Sequence, residues 1–294
     1  MSQAQDKAVI WHRDEYEIDI EETAVQQDVS RPLTRWESFS NNTTVRRSSV
    51  LIALAIIWEI YATWLNNPLM FPRFSEVTVA LVEGYISGPL AIRTWTTLRV
   101  LVVGYALGIV LAAVLTSLAV LTRFGTDLLS TLTSMFNPLP AIALLPLSLL
   151  WFGLGEASLL FIIVHSVLWA VALNMHSGFL EVSQTQRSVG HNYGLRGVRY
   201  VMNILMPAAL PSILSGLKIG WAFAWRTLIA AELVFGVSSR SGGLGWYIFE
   251  NRQQLDTTNV FAGLSAVVLI GLLVESIIFR TIENRTVRRW GMQV

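Results

Sequence analysis

The stretch WAFAWRTLIAAEL, residues 221 to 233, sets a guanidinium and a carboxylate, Arg226 and Glu232, inside an otherwise apolar run. A charge at the centre of a membrane helix costs about 2.5–3.5 kcal/mol on insertion scales, so each needs a partner or a purpose. Six positions on an α-helix turn about 600°, leaving the two about 120° apart and poorly placed to pair along one face. One reading is an anion site in a membrane pathway. The planar donor fork of Arg226 suits carboxylate, sulfonate or nitrate oxygens. Trp221, Trp225 and Phe136 would wall an organic anion, and Asn137 and Glu232 would join them along the pathway. The other reading is a structural ion pair of Arg226 with Glu232, Glu59 or a second subunit.

Other chemistry is sparsely provided. Histidines stand at 12, 165, 176 and 191 without a recognised metal spacing, and His165 reads as a satisfied core histidine. Cysteine is absent, which removes disulfides, thiolate metal sites and a cysteine nucleophile. The chain has no GxxxxGK[ST] phosphate loop, so ATP binding is not expected of it. No catalytic and no metal site is expected. An intramembrane enzyme would need a cluster of polar catalytic groups, and only scattered ones are present. A non-transporting membrane scaffold stays open as a further alternative. The net charge of +1 and the lack of a basic, aromatic-studded array speak against a nucleic-acid partner.

The elements that must position these residues are apolar helices. Of 294 residues 53% are hydrophobic and 14% charged, against roughly 25% charged in an average soluble domain. About 20 residues cross a bilayer core. Candidate spans are Val50 to Leu65, Leu98 to Leu121, Leu128 to Phe152, Ala157 to Ser177, Leu210 to Val237 and Val260 to Ile282. The fold class expected is all-α, a polytopic membrane protein with about six transmembrane helices. Arginines cluster at 46 and 47, at 187, 196 and 199, and at 280, 285, 288 and 289, on one face of a six-span arrangement. That face is expected to be cytoplasmic, with both termini.

Residues 1–48 are expected to form a polar, acidic cytoplasmic arm, and 49–294 the transmembrane domain. Residues 1–30 hold eight acids against Lys7 and Arg13, and lack the basic start and cleavage site of a signal peptide. The external segment after the first span contains FPRFSEVTVALVEGYISG, with Val77, Leu81, Val82 and Tyr85 near one helical face and Ser75 as its cap. Trp246 and Tyr247 suit an outer interfacial belt. The third span is interrupted by NPLPAIALLP, where Pro138, Pro140 and Pro146 each remove a backbone donor, and Asn137 would cap the broken half. Broken helices at membrane depth are tolerated where they are buried in protein or line a cavity.

Residues 181–207 form a polar, arginine-bearing interruption between apolar runs. After Gly194, Val198, Val201, Met202 and Leu205 share a helical face, with Arg196, Arg199 and Asn203 elsewhere. Gly194 and Gly197 suit a turn between two short helices. Pro207 would end the second, and Pro211 would lie in the first turn of the next span. A helix, turn, helix knob on the cytoplasmic face is expected.

These residues resemble the membrane permease subunits of binding-protein-dependent ABC importers of the nitrate, sulfonate, taurine and bicarbonate group. That family carries a loop E-A-A-x3-G-x9-I-x-L-P, the coupling helix that docks on the ATPase. Aligning its glycine on Gly194 places the isoleucine on Ile204 and the last proline on Pro207, and MPAALP stands for the usual LPAALP. The E-A-A positions fall on Ser188, Val189 and Gly190, so the acidic head is replaced. FPRFSEV, LPLSLLWFGLGEAS, and AAEL followed by GGLGWYI are similar to further family segments in the same order.

The resemblance implies a type I importer permease fold. It implies that Ser188, Val189, Gly190, Gly194, Leu195, Arg196, Val198, Ile204 and Pro207 contact an ATP-binding ABC subunit. It also implies a second permease copy forming a homodimer, a periplasmic or lipid-anchored binding protein, and residence in lipid in the bacterial inner membrane. ATP and Mg would be bound by the partner ATPase, with no cofactor in this chain.

Overall fold

A computed structural model of the protein describes residues 43–235 and 242–286. Residues 1–42 of the acidic arm read at 1–48, and Arg288 and Arg289, lie outside the described residues, and 43–48 belong to the first helix. The chain divides into two units, Met1–Leu54 and Ala55–Val294. The described part of the first begins helix α1 (Thr43–Leu65), where Ser49 Oγ donates to the Arg46 carbonyl at 2.9 Å.

In the second unit, α1 is followed by α2 (Phe74–Ile86), α3 (Leu90–Ala119) and α4 (Arg123–Phe136). A tight turn at Ala141–Leu144 leads into α5 (Leu145–Phe152), then α6 (Glu156–Glu181) and α7 (Gln184–Asn192). Next come α8 (Gly197–Ala208), α9 (Leu210–Phe235), α10 (Leu244–Gln253) and α11 (Thr257–Arg285). Among the described residues every regular element is helical, so the chain is an all-α polytopic protein.

Glycines and small side chains set how the long helices meet, as in membrane bundles where backbones approach closely. Gly104 and Gly108 of α3 lie against Ile163 and Val167 of α6, leaving no room for a side chain. Both positions rise together, so α3 and α6 run in the same direction. Gly178 of α6 meets Ser212 of α9, whereas Gly220 meets Val171, so that pair is antiparallel. Trp221 packs on Phe279 and Lys218 pairs with Glu283, making α9 and α11 antiparallel as well.

Among the described residues four helices are long and apolar enough to cross a membrane, and up to six passes result if each of two bent pairs counts as one. The shared direction of α3 and α6 decides the first of these. The intervening α4 and α5 must carry the chain back across, so they form one broken span, bent by 86°. The break lies at Asn137–Pro140. Pro146 sits in the first turn of α5, where a helix has no use for its missing N–H, and does not kink it. The start of α3 lies eight residues before the apolar run suggests, because Arg93 is accommodated by the Gly242 carbonyl at 3.0 Å and Glu250 at 3.1 Å.

Three local expectations change. The cap of α2 is not Ser75: the helix starts at Phe74, and the Ser75 N–H and hydroxyl donate to Glu59 of α1 at 3.0 and 2.9 Å. A carboxylate at a helix N-terminus meets its unpaired N–H groups and its dipole. The buried face of α2 is narrower than the pattern suggests, with Val77 and Gly84 buried while Val82 and Tyr85 are exposed. Tyr247 is buried and donates its hydroxyl to Asn259 at 2.9 Å, so it belongs to the core rather than to an interfacial belt.

Candidate functional site

The broken third pass opens a cavity of about 420 Å³ between α4, the proline turn, α6 and α9. Its walls include Phe136, Asn137, Pro138, Pro140, His165, Trp169, Phe223 and Arg226. Asn137 closes α4, its backbone N–H donating to Thr133 at 2.9 Å. It does not cap the following turn, which Pro140 precedes, and it lines the cavity. Phe136 stacks on Trp169 with ring centroids 5.0 Å apart and meets His165 edge-on at 6.2 Å.

Arg226 is exposed. Its Nε–H donates to the Ala222 carbonyl at 3.0 Å, and the guanidinium lies 5.1 Å from the Phe223 ring. Among the described residues no carboxylate reaches it, and Glu59 and Glu232 are both engaged elsewhere. A fixed cation beside an open apolar cavity can attract an anion, with the remaining guanidinium N–H groups as donors.

The other residues read as pathway candidates fall elsewhere. Trp225 is buried in the core and lies parallel to Trp221 at 6.4 Å, and Trp221 meets Tyr105 edge-on at 5.4 Å. Neither tryptophan lines the cavity, because they occupy the side of α9 that packs on α3 and α11. Glu232 is fully buried and also stands apart. Its carboxylate accepts from Thr97 Oγ1 at 2.9 Å and from the Gly245 N–H at 2.9 Å, and Thr97 Oγ1 in turn accepts from the Leu244 N–H at 2.8 Å. It ties α9, α3 and the start of α10 together.

The polar interruption folds as two short helices. Ser183 caps α7 by accepting from the Gln186 N–H at 3.3 Å. Gly194 and Gly197 have φ of 70° and 56°, which a residue with a side chain adopts only with strain. Gly190, in the position of the second alanine of E-A-A, is buried against Tyr200 and Ile204, so a side chain there would push the helices apart. Helix α8 reaches Ala208, one residue past Pro207, and meets α9 at an 80° bend with Pro211 in the first turn of α9.

The apolar face expected on α8 splits in two. Val201 and Leu205 are fully buried with Phe179 and Met175 of α6, each worth about 1.5–3 kcal/mol of burial. Val198 and Met202 remain exposed at 61% and 55%, as do Tyr193 at 80% and Val189 at 43% on the preceding helix and turn. Ser188 and Arg196 are exposed too, whereas Leu195 and Ile204 pack partly against the buried cluster.

Two features escaped the sequence reading. Arg187 turns back on α6, its guanidinium donating to the carbonyls of Phe179 and Val182 at 2.5 and 3.0 Å, so it caps a helix C-terminus. A basic residue just after an apolar helix was the available signal. His165 is not satisfied: both of its ring nitrogens are buried without a partner among the described residues, as is Trp169 Nε1. Their spacing of one helical turn, facing the proline break, was the only hint.

Comparison with known proteins places the chain in a family. The family model described as binding-protein-dependent transport system inner membrane component matches residues 86–289. A protein of Methanocaldococcus jannaschii that carries the name of an ABC transporter permease is 33% identical, over 76% of this chain and 85% of its own. The taurine transport system permease protein of Escherichia coli is 29% identical over 82% and 88% of the two chains. The nitrate import permease protein of Synechocystis is 28% identical over 82% and 89%.

Proposed function

The chain belongs to the family of binding-protein-dependent transport system inner membrane components, and from that premise we propose that it forms half of an import pathway for a small anion. Two copies would pair, a binding protein would deliver substrate from outside, and a separate ATPase would drive the cycle. Nitrate, taurine and other sulfonates are the candidate substrates, by likeness to the relatives' names. The observation that carries the anion reading is Arg226, a guanidinium without a carboxylate partner among the described residues, on the wall of the cavity at the broken span.

The exposed apolar side chains of Val189, Tyr193, Val198 and Met202 on the two short helices and their turn support docking on the ATPase. With no acidic head at Ser188, the contact would rest on shape and apolar burial. The arginines at 46, 47, 196, 199, 280 and 285 support a cytoplasmic position for that end and for both termini. Stimulation of ATP hydrolysis in the reconstituted complex tests the reading. With the cognate binding protein present, one of nitrate, taurine or an alkanesulfonate should raise the rate several-fold. A rate indifferent to all three would refute it.

A further inference from the structure

Beside the cavity, Nδ1 and Nε2 of His165 and Nε1 of Trp169 are buried without a hydrogen-bond partner among the described residues. Each such group costs about 1–3 kcal/mol, and a phenylalanine of similar shape would avoid the cost. Both side chains line the same cavity as Arg226. Part of their cover is Phe136, stacked on Trp169 at 5.0 Å and edge-on to His165 at 6.2 Å. Phe136 is the last residue of α4, directly before the bend at Pro138 and Pro140, which offer no backbone N–H to stiffen the turn. A ring in that place can swing aside without unmaking either helix.

We infer that His165 and Trp169 complete an oxyanion site with Arg226, covered by Phe136 in this conformation and uncovered when the anion enters. The inference rests on the permease reading and adds the donors that select the anion. A neutral imidazole carries one N–H donor, and the indole donates without accepting. With the guanidinium fork these match the several acceptor oxygens of an oxyanion. Ile142 and Phe223 offer apolar wall for a short carbon body. A short-chain alkanesulfonate uses both parts of the site, whereas nitrate uses only the donors.

Calorimetric titration of the purified permease–ATPase complex in lipid nanodiscs, with propanesulfonate and with nitrate, tests the inference. The wild-type complex binds propanesulfonate more tightly than nitrate. His165→Phe and Trp169→Phe, which keep a ring and remove the donor, each weaken propanesulfonate binding about tenfold, as expected for a hydrogen bond to a charged group. Without ligand both variants unfold at the same temperature as wild type or higher, because an unpaired polar atom has gone. His165→Gln, which keeps a donor, recovers part of the affinity.

Unchanged affinity in both phenylalanine variants, with binding lost in Arg226→Gln, overturns the inference and leaves the permease reading standing. A lowered unfolding temperature of the unliganded variants means that the nitrogens are paired across a subunit contact, and also overturns it. Absence of binding of either anion to the wild-type complex overturns both the anion reading and this inference.

Discussion

Arg226 and Glu232 stand on one helix and meet opposite fates. Arg226 keeps unused donors beside a cavity, whereas Glu232 is fully buried and joins three elements through Thr97 and Gly245. Removing the Glu232 carboxylate leaves the Thr97 hydroxyl and the Gly245 N–H buried and unpaired, at about 1–3 kcal/mol each. Glu232→Ala is therefore expected to lower the unfolding temperature of the purified protein, and Glu232→Gln to lower it less. At Gly243 an added Cβ would collide with both the Glu232 carboxylate and the Thr97 hydroxyl. Gly243→Ala should destabilise at least as much as Glu232→Ala, as the added methyl has nowhere to go without moving the carboxylate.

The tip of the α7–α8 knob is where an element carries function. Its turn needs two positive-φ residues, Gly194 and Gly197. Gly194→Val is expected to leave assembly intact but to uncouple ATP hydrolysis from transport, seen as hydrolysis that persists while uptake falls. Met202→Asp, which places a charge on the exposed apolar tip, is expected to reduce copurification of the ATPase several-fold without altering the helical content of the permease. These elements were largely legible in the sequence, because glycine, proline and apolar period act within a few residues of where they stand. What was not legible depends on partners far along the chain. Glu232 finds Thr97, which lies 135 positions away, and His165 is left unpaired only because of what packs around it. The split of the α8 face has the same origin, since Val201 joins the buried cluster that contains Met175 and Phe179 of α6 and Val198 does not.

Across the whole molecule, the parallel run of α3 and α6 requires the proline-broken pair to cross between them, so the cavity lies at the break of a membrane span. The cysteine-free sequence allows a direct check of sidedness. Single substitutions Ser188→Cys, on the knob, and Ser87→Cys, at the end of α2, should be labelled by an impermeant maleimide from opposite sides of the membrane. The central claim, an anion pathway gated by binding-protein delivery and ATP, is tested most directly by uptake. Proteoliposomes holding permease and ATPase, supplied with binding protein and ATP, are predicted to accumulate the cognate anion. Arg226→Gln is predicted to lower that rate at least tenfold in a fully assembled complex, with Arg226→Lys in between. Wild-type uptake rates in Arg226→Gln would contradict the account.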